Sequence, residues 1–222
     1  MDRTADACEI SSGAMVSRRR FCTNVINALR VSRCGNSAIQ GQIDPSGTPS
    51  MSGRLVIVST PIGNLGDFSE RAARTLEGAD IIACEDTRMT RKLLALSGLT
   101  STAKLVPYHD HNGATMRPRL LADIGDGKII ALVSDAGTPL ISDPGYKLVA
   151  SCHDHGFTVT AVPGPSAPLA ALTVSGLPSD KFTFAGFLPP TKKACESAIT
   201  DVIDLPMTII WFETPRRLLK SL

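Results

Sequence analysis

IIALVSDAGTPLISDPGY, residues 129–146, decides the fold. Ile129 to Val133 is an unbroken apolar run, too short for a helix and rich in β-branched residues, which predicts a strand buried on both faces. It stops at the polar, glycine-bearing loop Ser134 to Pro139. Ser142 then reads as the cap of a helix with Pro144 in its first turn, running to Gly156. The same unit recurs to either side. Upstream, Leu55–Val58 runs into the loop Ser59–Asp67, and Asp67 and Glu70 have capping-box spacing before a helix over Arg71–Leu76. Asp80–Cys84 leads to Glu85-Asp86 and a helix capped by Thr87 that reaches Leu96. Ala103–Tyr108, a weaker strand, leads to His109–Asn112 and a helix over Arg117–Ile124. Downstream, Thr158–Val162 enters Pro163–Ala167 and a helix beginning near Ser166. This alternation predicts an α/β fold: a mostly parallel sheet with helices on both faces.

Beyond the break at Gly176–Asp180, strands at 182–185 and 207–212 and a helix from Pro215 are the visible elements. Two strands fall short of the ~3 that an independent sheet needs, so 165–222 reads as part of a second α/β domain after an N-terminal one over 53–164.

Composition narrows the class. The 222 residues carry 23 Lys+Arg against 21 Asp+Glu, a net charge of +2, which excludes a histone-like polycation. With 43% hydrophobic and 20% charged residues the chain is ordinarily globular, and no apolar run approaches the ~20 residues of a membrane span. Cysteines 8, 22, 34, 84, 152 and 195 form no CxxC pair, which points to reduced thiols and a cytoplasmic protein.

Residues 1–52 are of another kind. They hold six basic and four acidic side chains, leaving 17 of each sign for 53–222. Between Met15 and Ile43 stand five arginines and no acid, a composition like that of an organelle transit peptide. No apolar h-region or cleavage pattern accompanies it, so a disordered extension, or a reading frame begun upstream of a true start at Met51, is the better expectation. Asp44–Ser50 reads as a linker in either case.

Ligands of open α/β sheets bind beyond the carboxyl ends of the strands. The chemically unusual residues gather there: Pro61/Gly63/Asp67, Glu85/Asp86/Arg88, His109/Asp110/His111/Asn112, Asp135/Gly137/Thr138 and Gly164/Ser166. Such a rim offers backbone amides, close approach at glycines and a few carboxylates, suited to a polar, nucleoside-bearing molecule. No P-loop, G-x-G-x-x-G or H-E-x-x-H is present. His109-x-His111 is half a metal site at most, and with no third ligand nearby no metal is expected.

Seven stretches in order, TPIGNLGD (60–67), ACEDTR (83–88), HDHN (109–112), LVSDAGTPLISDPGY (132–146), VPGPSA (162–167), GLPSDKFTFAGFLP (176–189) and FETPRRL (212–218), make 53–222 resemble the tetrapyrrole-methylase superfamily. Within it, the segment resembles the ribosomal RNA small-subunit methyltransferase I family, cytidine 2′-O-methyltransferases. The resemblance implies two α/β domains with S-adenosylmethionine between them. It places that donor against Pro61, Ile62 and Gly63, the segment Asp135, Ala136, Gly137, Thr138, Pro139, and the turn Ser166, Ala167. Phe187, Leu188 and Glu213 would line the second-domain side. The family continues past this chain's last residue, and its members are commonly homodimers.

For methyl transfer to a ribose hydroxyl, Glu85, Asp86 and His109 are the candidate bases, although Glu85-Asp86-Thr87-Arg88 also reads as a helix cap with an ion pair. Arg88, Arg91, Lys92, Arg216 and Arg217, with Lys192-Lys193, are the cations placed to meet ribosomal RNA. Two other readings stand: a superfamily relative acting on a tetrapyrrole or another small molecule, and a non-enzymatic fragment retaining part of a ligand site. HDHN, FETPRRL and the TPIGN loop favour the RNA reading, because the small-molecule members typically carry a G-x-G-P-G-D loop at that position.

Overall fold

The computed structural model describes residues 53–221, so the readings of 1–52 lie outside the described residues. Five strands, β1 (Arg54–Val58), β2 (Ile81–Cys84), β3 (Lys104–Pro107), β4 (Ile129–Val133) and β5 (Thr158–Val162), form one sheet in the order β3-β2-β4-β1-β5. Every pairing is parallel. The helices between them are α1 (Glu70–Glu77), α2 (Thr87–Leu96), α3 (Gly113–Gly125) and α4 (Tyr146–Asp154), with α5 (Ala167–Ser175) after β5.

Period-two alternation along the strands explains why both faces are covered. From β1, Leu55 and Ile57 join Leu120 and Ile124 of α3 and Leu148 and Cys152 of α4. Val56 and Val58 join Ala72 and Leu76 of α1 and Leu94 of α2 on the opposite face. Each fully buried Leu or Ile here stabilises the fold by ~1.5–3 kcal/mol. The α/β class with helices on both faces is therefore as the sequence predicts.

Strand order also locates the crevice. The chain leaving β1 crosses to β2 by way of α1 on one face, whereas the chain leaving β4 crosses to β5 by way of α4 on the other. β1 and β4 are neighbours, so their outgoing loops part at the topological switch point, where such sheets bind ligands.

Several helix starts differ from their sequence reading. Asp67 ends a 3-10 turn (Leu65–Asp67), and Ser69 caps α1 by accepting from Ala72 N at 3.1 Å. Asp86, not Thr87, caps α2. Ser142 caps nothing: α4 starts at Tyr146, and 139–145 is loop. α3 begins four residues before Arg117 and keeps Pro118 inside it, because Leu120 and Ile124 need the register that buries them. At α1 and α2 neighbouring residues compete for the cap, whereas α3 and α4 start without a side-chain cap.

Residues 182–221 add β6 (Phe182–Phe187), α6 (Lys192–Thr200), β7 (Thr208–Phe212) and α7 (Pro215–Ser221). α6 was not visible in the sequence reading. β6 and β7 pair in parallel. Phe212 packs edge-on against Phe184 and Phe187, at centroid distances of 4.7 and 5.3 Å. Among the described residues no helix is long and apolar enough to cross a membrane.

Candidate active site

Three strand-end loops are knitted into one floor. Thr60, just past β1, exchanges both backbone hydrogen bonds with Gly137, just past β4: Thr60 N donates to Gly137 O at 2.9 Å and Gly137 N to Thr60 O at 3.1 Å. Thr60 Oγ1 donates to Ser134 O at 3.2 Å, and Thr138 Oγ1 donates to Pro165 O at 2.9 Å. That last bond ties in the turn after β5, and Ser59 Oγ and Thr138 Oγ1, 3.1 Å apart, add a second link between the loops after β1 and β4. Gly137 has φ +83°, and a Cβ there would lie 3.2 Å from Ile62 Cγ2. At Gly164 a Cβ would come within 2.8 Å of Ser59 Cβ, so that turn approaches β1 only as glycine. Leu140 and Ser142 are non-glycine residues at φ 73° and 64°, a cluster of backbone strain of the sort found at ligand sites.

A cavity of about 280 Å³ opens on this floor, lined by Ile62, Gly137, Asp143, Ser166, Phe187 and Phe212 among others. Ala136, Thr138 and Ala167 of the predicted donor set line it too. Pro139 is buried in the following loop. Pro61, Gly63 and Asp135 stand instead around an adjoining hollow with Leu65, Met89 and Lys92. The first-strand loop is thus split, with Ile62 turned to one side and its neighbours to the other. Leu188 and Glu213 are not in the lining. Leu188 N donates to Phe212 O at 3.1 Å. Glu213 accepts from Thr214 N at 2.6 Å and Ser221 Oγ at 2.7 Å, and pairs with Arg217 at 3.1 Å.

Carboxylates surround the floor. Asp86 accepts three bonds from the Arg88 guanidinium, two from Nε at 3.1 and 3.2 Å and one from Nη2 at 2.7 Å. Those bonds and that from Arg88 N hold its carboxyl down at about 2. Asp86 N in turn donates to Asp135 at 3.2 Å. Glu85, Asp135 and Asp143 are pushed up instead, each first by burial and then by neighbouring acids. Glu85 feels Asp143 most, then Asp135, Asp110 and Asp86. Among the described residues no three His, Cys, Asp or Glu are arranged to hold a metal ion.

His109 lines a separate cavity, beside the first turns of α3 and α4. Of the predicted RNA-facing cations, Arg91, Lys92 and Arg216 are exposed. Arg88 is engaged by Asp86. Arg217 is engaged by Glu213 and also donates to Leu188 O at 2.7 Å and Pro189 O at 2.9 Å, which makes it a clamp on α7. The sequence reading missed Asp143, Ser142 and Phe212 as lining residues. The Asp-Pro-Gly triplet at 143–145 is a turn signal that could have moved the helix start past them.

The family model for tetrapyrrole (corrin/porphyrin) methylases matches residues 54–222. The chain belongs to that family. This methylase-family chain is 53% identical over 168 residues to the Ribosomal RNA small subunit methyltransferase I of Mesorhizobium japonicum, an alignment covering 76% of the chain and 56% of that protein. It is 49% identical over 170 residues to the protein of the same name from Escherichia coli O157:H7, covering 77% and 59%. The methylase-family chain therefore spans somewhat under three fifths of the length of these relatives. Among solved structures, diphthine synthase has a similar fold, with a TM-score of 0.55 at 14% identity over 77% of this chain and 72% of that one.

Proposed function

We propose that this chain binds S-adenosylmethionine in the cavity on the switch-point floor and methylates the 2′-hydroxyl of a cytidine in small-subunit ribosomal RNA. One observation carries the reading: Ile62, Gly137 and Ser166, from the ends of three different strands, line a single cavity. The names and identities of the relatives support small-subunit ribosomal RNA as the substrate, and the cytidine 2′-hydroxyl follows from the family resemblance.

The residues suit the donor. Ile62, Phe187 and Phe212 offer apolar walls to a purine, Thr138 and Ser142 offer hydroxyls, and Asp143 offers a carboxylate to a cationic end. Glycine at 137 keeps the floor open where a Cβ would press on Ile62. At about 280 Å³ the cavity is at the lower edge of the ~300–1,000 Å³ of small-molecule sites, so it encloses a nucleoside and leaves the rest in the opening.

When bound, S-adenosylmethionine supplies an electrophilic methyl on a positively charged sulfur. The chain's first task is alignment: a floor fixed by backbone and hydroxyl bonds holds reactants in one pose, a contribution of up to ~7–11 kcal/mol in favourable cases. The acceptor hydroxyl must also lose its proton, and Glu85 is the group assigned to receive it. Burial and the surrounding acids raise its carboxyl, which makes it a stronger base than an ordinary carboxylate. Asp86, held low by Arg88, is a weak base and serves as the α2 cap.

Calorimetric titration of the 222-residue chain with S-adenosylmethionine, followed by mapping of ribose methylation in cells lacking the gene, tests the reading. One cytidine is expected to lose its 2′-O-methyl on deletion. Asp135→Ala is expected not to restore it, and Glu85→Gln to slow the transfer ~10²–10⁴-fold while donor affinity is kept. Unchanged methylation after deletion would overturn the RNA assignment. Methylation of a uroporphyrin-type substrate by the chain would place it with the small-molecule members of its family.

A further inference from the structure

A second cavity, of about 290 Å³, takes no part in the donor site. It lies where the carboxyl end of β3 meets the first turns of α3 and α4, and His109, Asp110, Arg117, Tyr146 and Lys147 stand in its wall. Arg117 and Lys147 outweigh the single acid, Asp110, so the lining is net positive. α4 starts here, at Tyr146, with no side-chain cap, leaving the positive end of a nine-residue helix beside the cavity. One nitrogen of each of two lining residues, His109 Nδ1 and Arg117 Nε, is buried with no hydrogen-bond partner among the described residues. Such orphans are uncommon, and they mark the polar side chains of this wall as incompletely satisfied by the fold itself. Tyr146 is 63% exposed, and Lys147 Nζ stands 5.7 Å from its ring centroid. An exposed aromatic ring beside a cation is the combination that receives an unstacked nucleotide: ring for base, charge for phosphate.

We infer that this cavity holds one nucleotide of single-stranded RNA beside the methylation target, with its phosphate at Arg117, Lys147 and the start of α4 and its base on Tyr146. The inference rests on the RNA reading above and adds to it a subsite made of residues other than the cations the sequence singled out.

Fluorescence anisotropy with a fluorescein-labelled short oligocytidylate and the full chain tests it. Lys147→Ala is expected to weaken binding and to lower the log–log salt slope by ~0.7, the loss of one phosphate contact on a single strand. Tyr146→Ala is expected to weaken binding by about ten-fold or more with an unchanged salt slope, and Tyr146→Phe to restore it. Arg74→Gln, a change of an exposed cation paired with Glu70 on α1, is expected to bind as the unsubstituted chain does. Cytidine monophosphate is expected to displace the probe at lower concentration than inorganic phosphate. Equal displacement by inorganic phosphate would identify a small-anion site and overturn the assignment. Unaltered affinity and slope in both Lys147→Ala and Tyr146→Ala, in a chain that binds the probe, would overturn the subsite and leave the RNA reading standing. A chain that binds no probe even at low salt would sink both.

Discussion

Asp143 faces the switch-point cavity from a loop that also holds Leu140 and Ser142 in left-handed conformations, and burial pushes its carboxyl up. A carboxyl raised by folding binds more protons in the native than in the unfolded state. Its effect on stability is thus nil below its ordinary value of 3.8 and unfavourable as pH rises through the raised native value. Asp143→Asn is expected to raise the melting temperature at neutral pH by a few degrees, about 1 kcal/mol at most, and to change nothing at strongly acid pH. Thermal melts across that range read the difference, and equal gains at every pH would refute the desolvation argument. The same variant is expected to bind S-adenosylmethionine less tightly, a trade of function for stability. Asp86 runs the other way: held down at about 2, it supports the fold above 3.8 and loses that support only as pH falls towards 2. Gly137→Ala, which forces a Cβ into a positive-φ position against Ile62, is expected to cost ~1–3 kcal/mol and to weaken donor binding. Gly137 and Ser166 were legible in the sequence because turn chemistry at strand ends is local, whereas Ile62 was named only through the family resemblance. Asp143 was not, because a serine followed by a proline imitates a helix start.

The strands stand where the sequence put them, since short apolar runs bounded by glycine and acid leave little choice of register. β4 and β5 match to the residue. Helix starts are decided by long-range packing, which is why α3 and α4 shifted. Leu76 of α1 and Leu120 of α3, both almost fully buried on opposite faces of the sheet, test the two-faced core: either change to Ala is expected to cost ~2–5 kcal/mol in denaturant titrations. α7 depends on one clamp, because Arg217 joins Glu213 at its start to the Leu188 and Pro189 carbonyls after β6. Arg217→Ala is expected to speed amide exchange over 215–221 and to leave β4 unaffected. Exchange unchanged in α7 would show that the clamp does not hold it.

Across the whole described molecule, order is unevenly supported. β1, β2 and β4 are interior or near-interior strands with buried side chains, whereas β6 and β7 form a two-stranded layer in which no residue is fully buried. Amides of 182–187 and 208–212 are therefore expected to exchange far faster than those of 54–58 and 129–133, and to slow when donor binds against Phe187 and Phe212. The α/β alternation made the first sheet legible, but the later layer has too few elements for periodicity to announce it, and α6 passed unseen. The paired backbone bonds between Thr60 and Gly137 bear on traffic through the cavity. Two loops sewn together cannot gape, so a molecule entering or leaving passes on the side of the two phenylalanines. The pace of exchange is then set by the least anchored wall rather than by the bed on which the molecule rests.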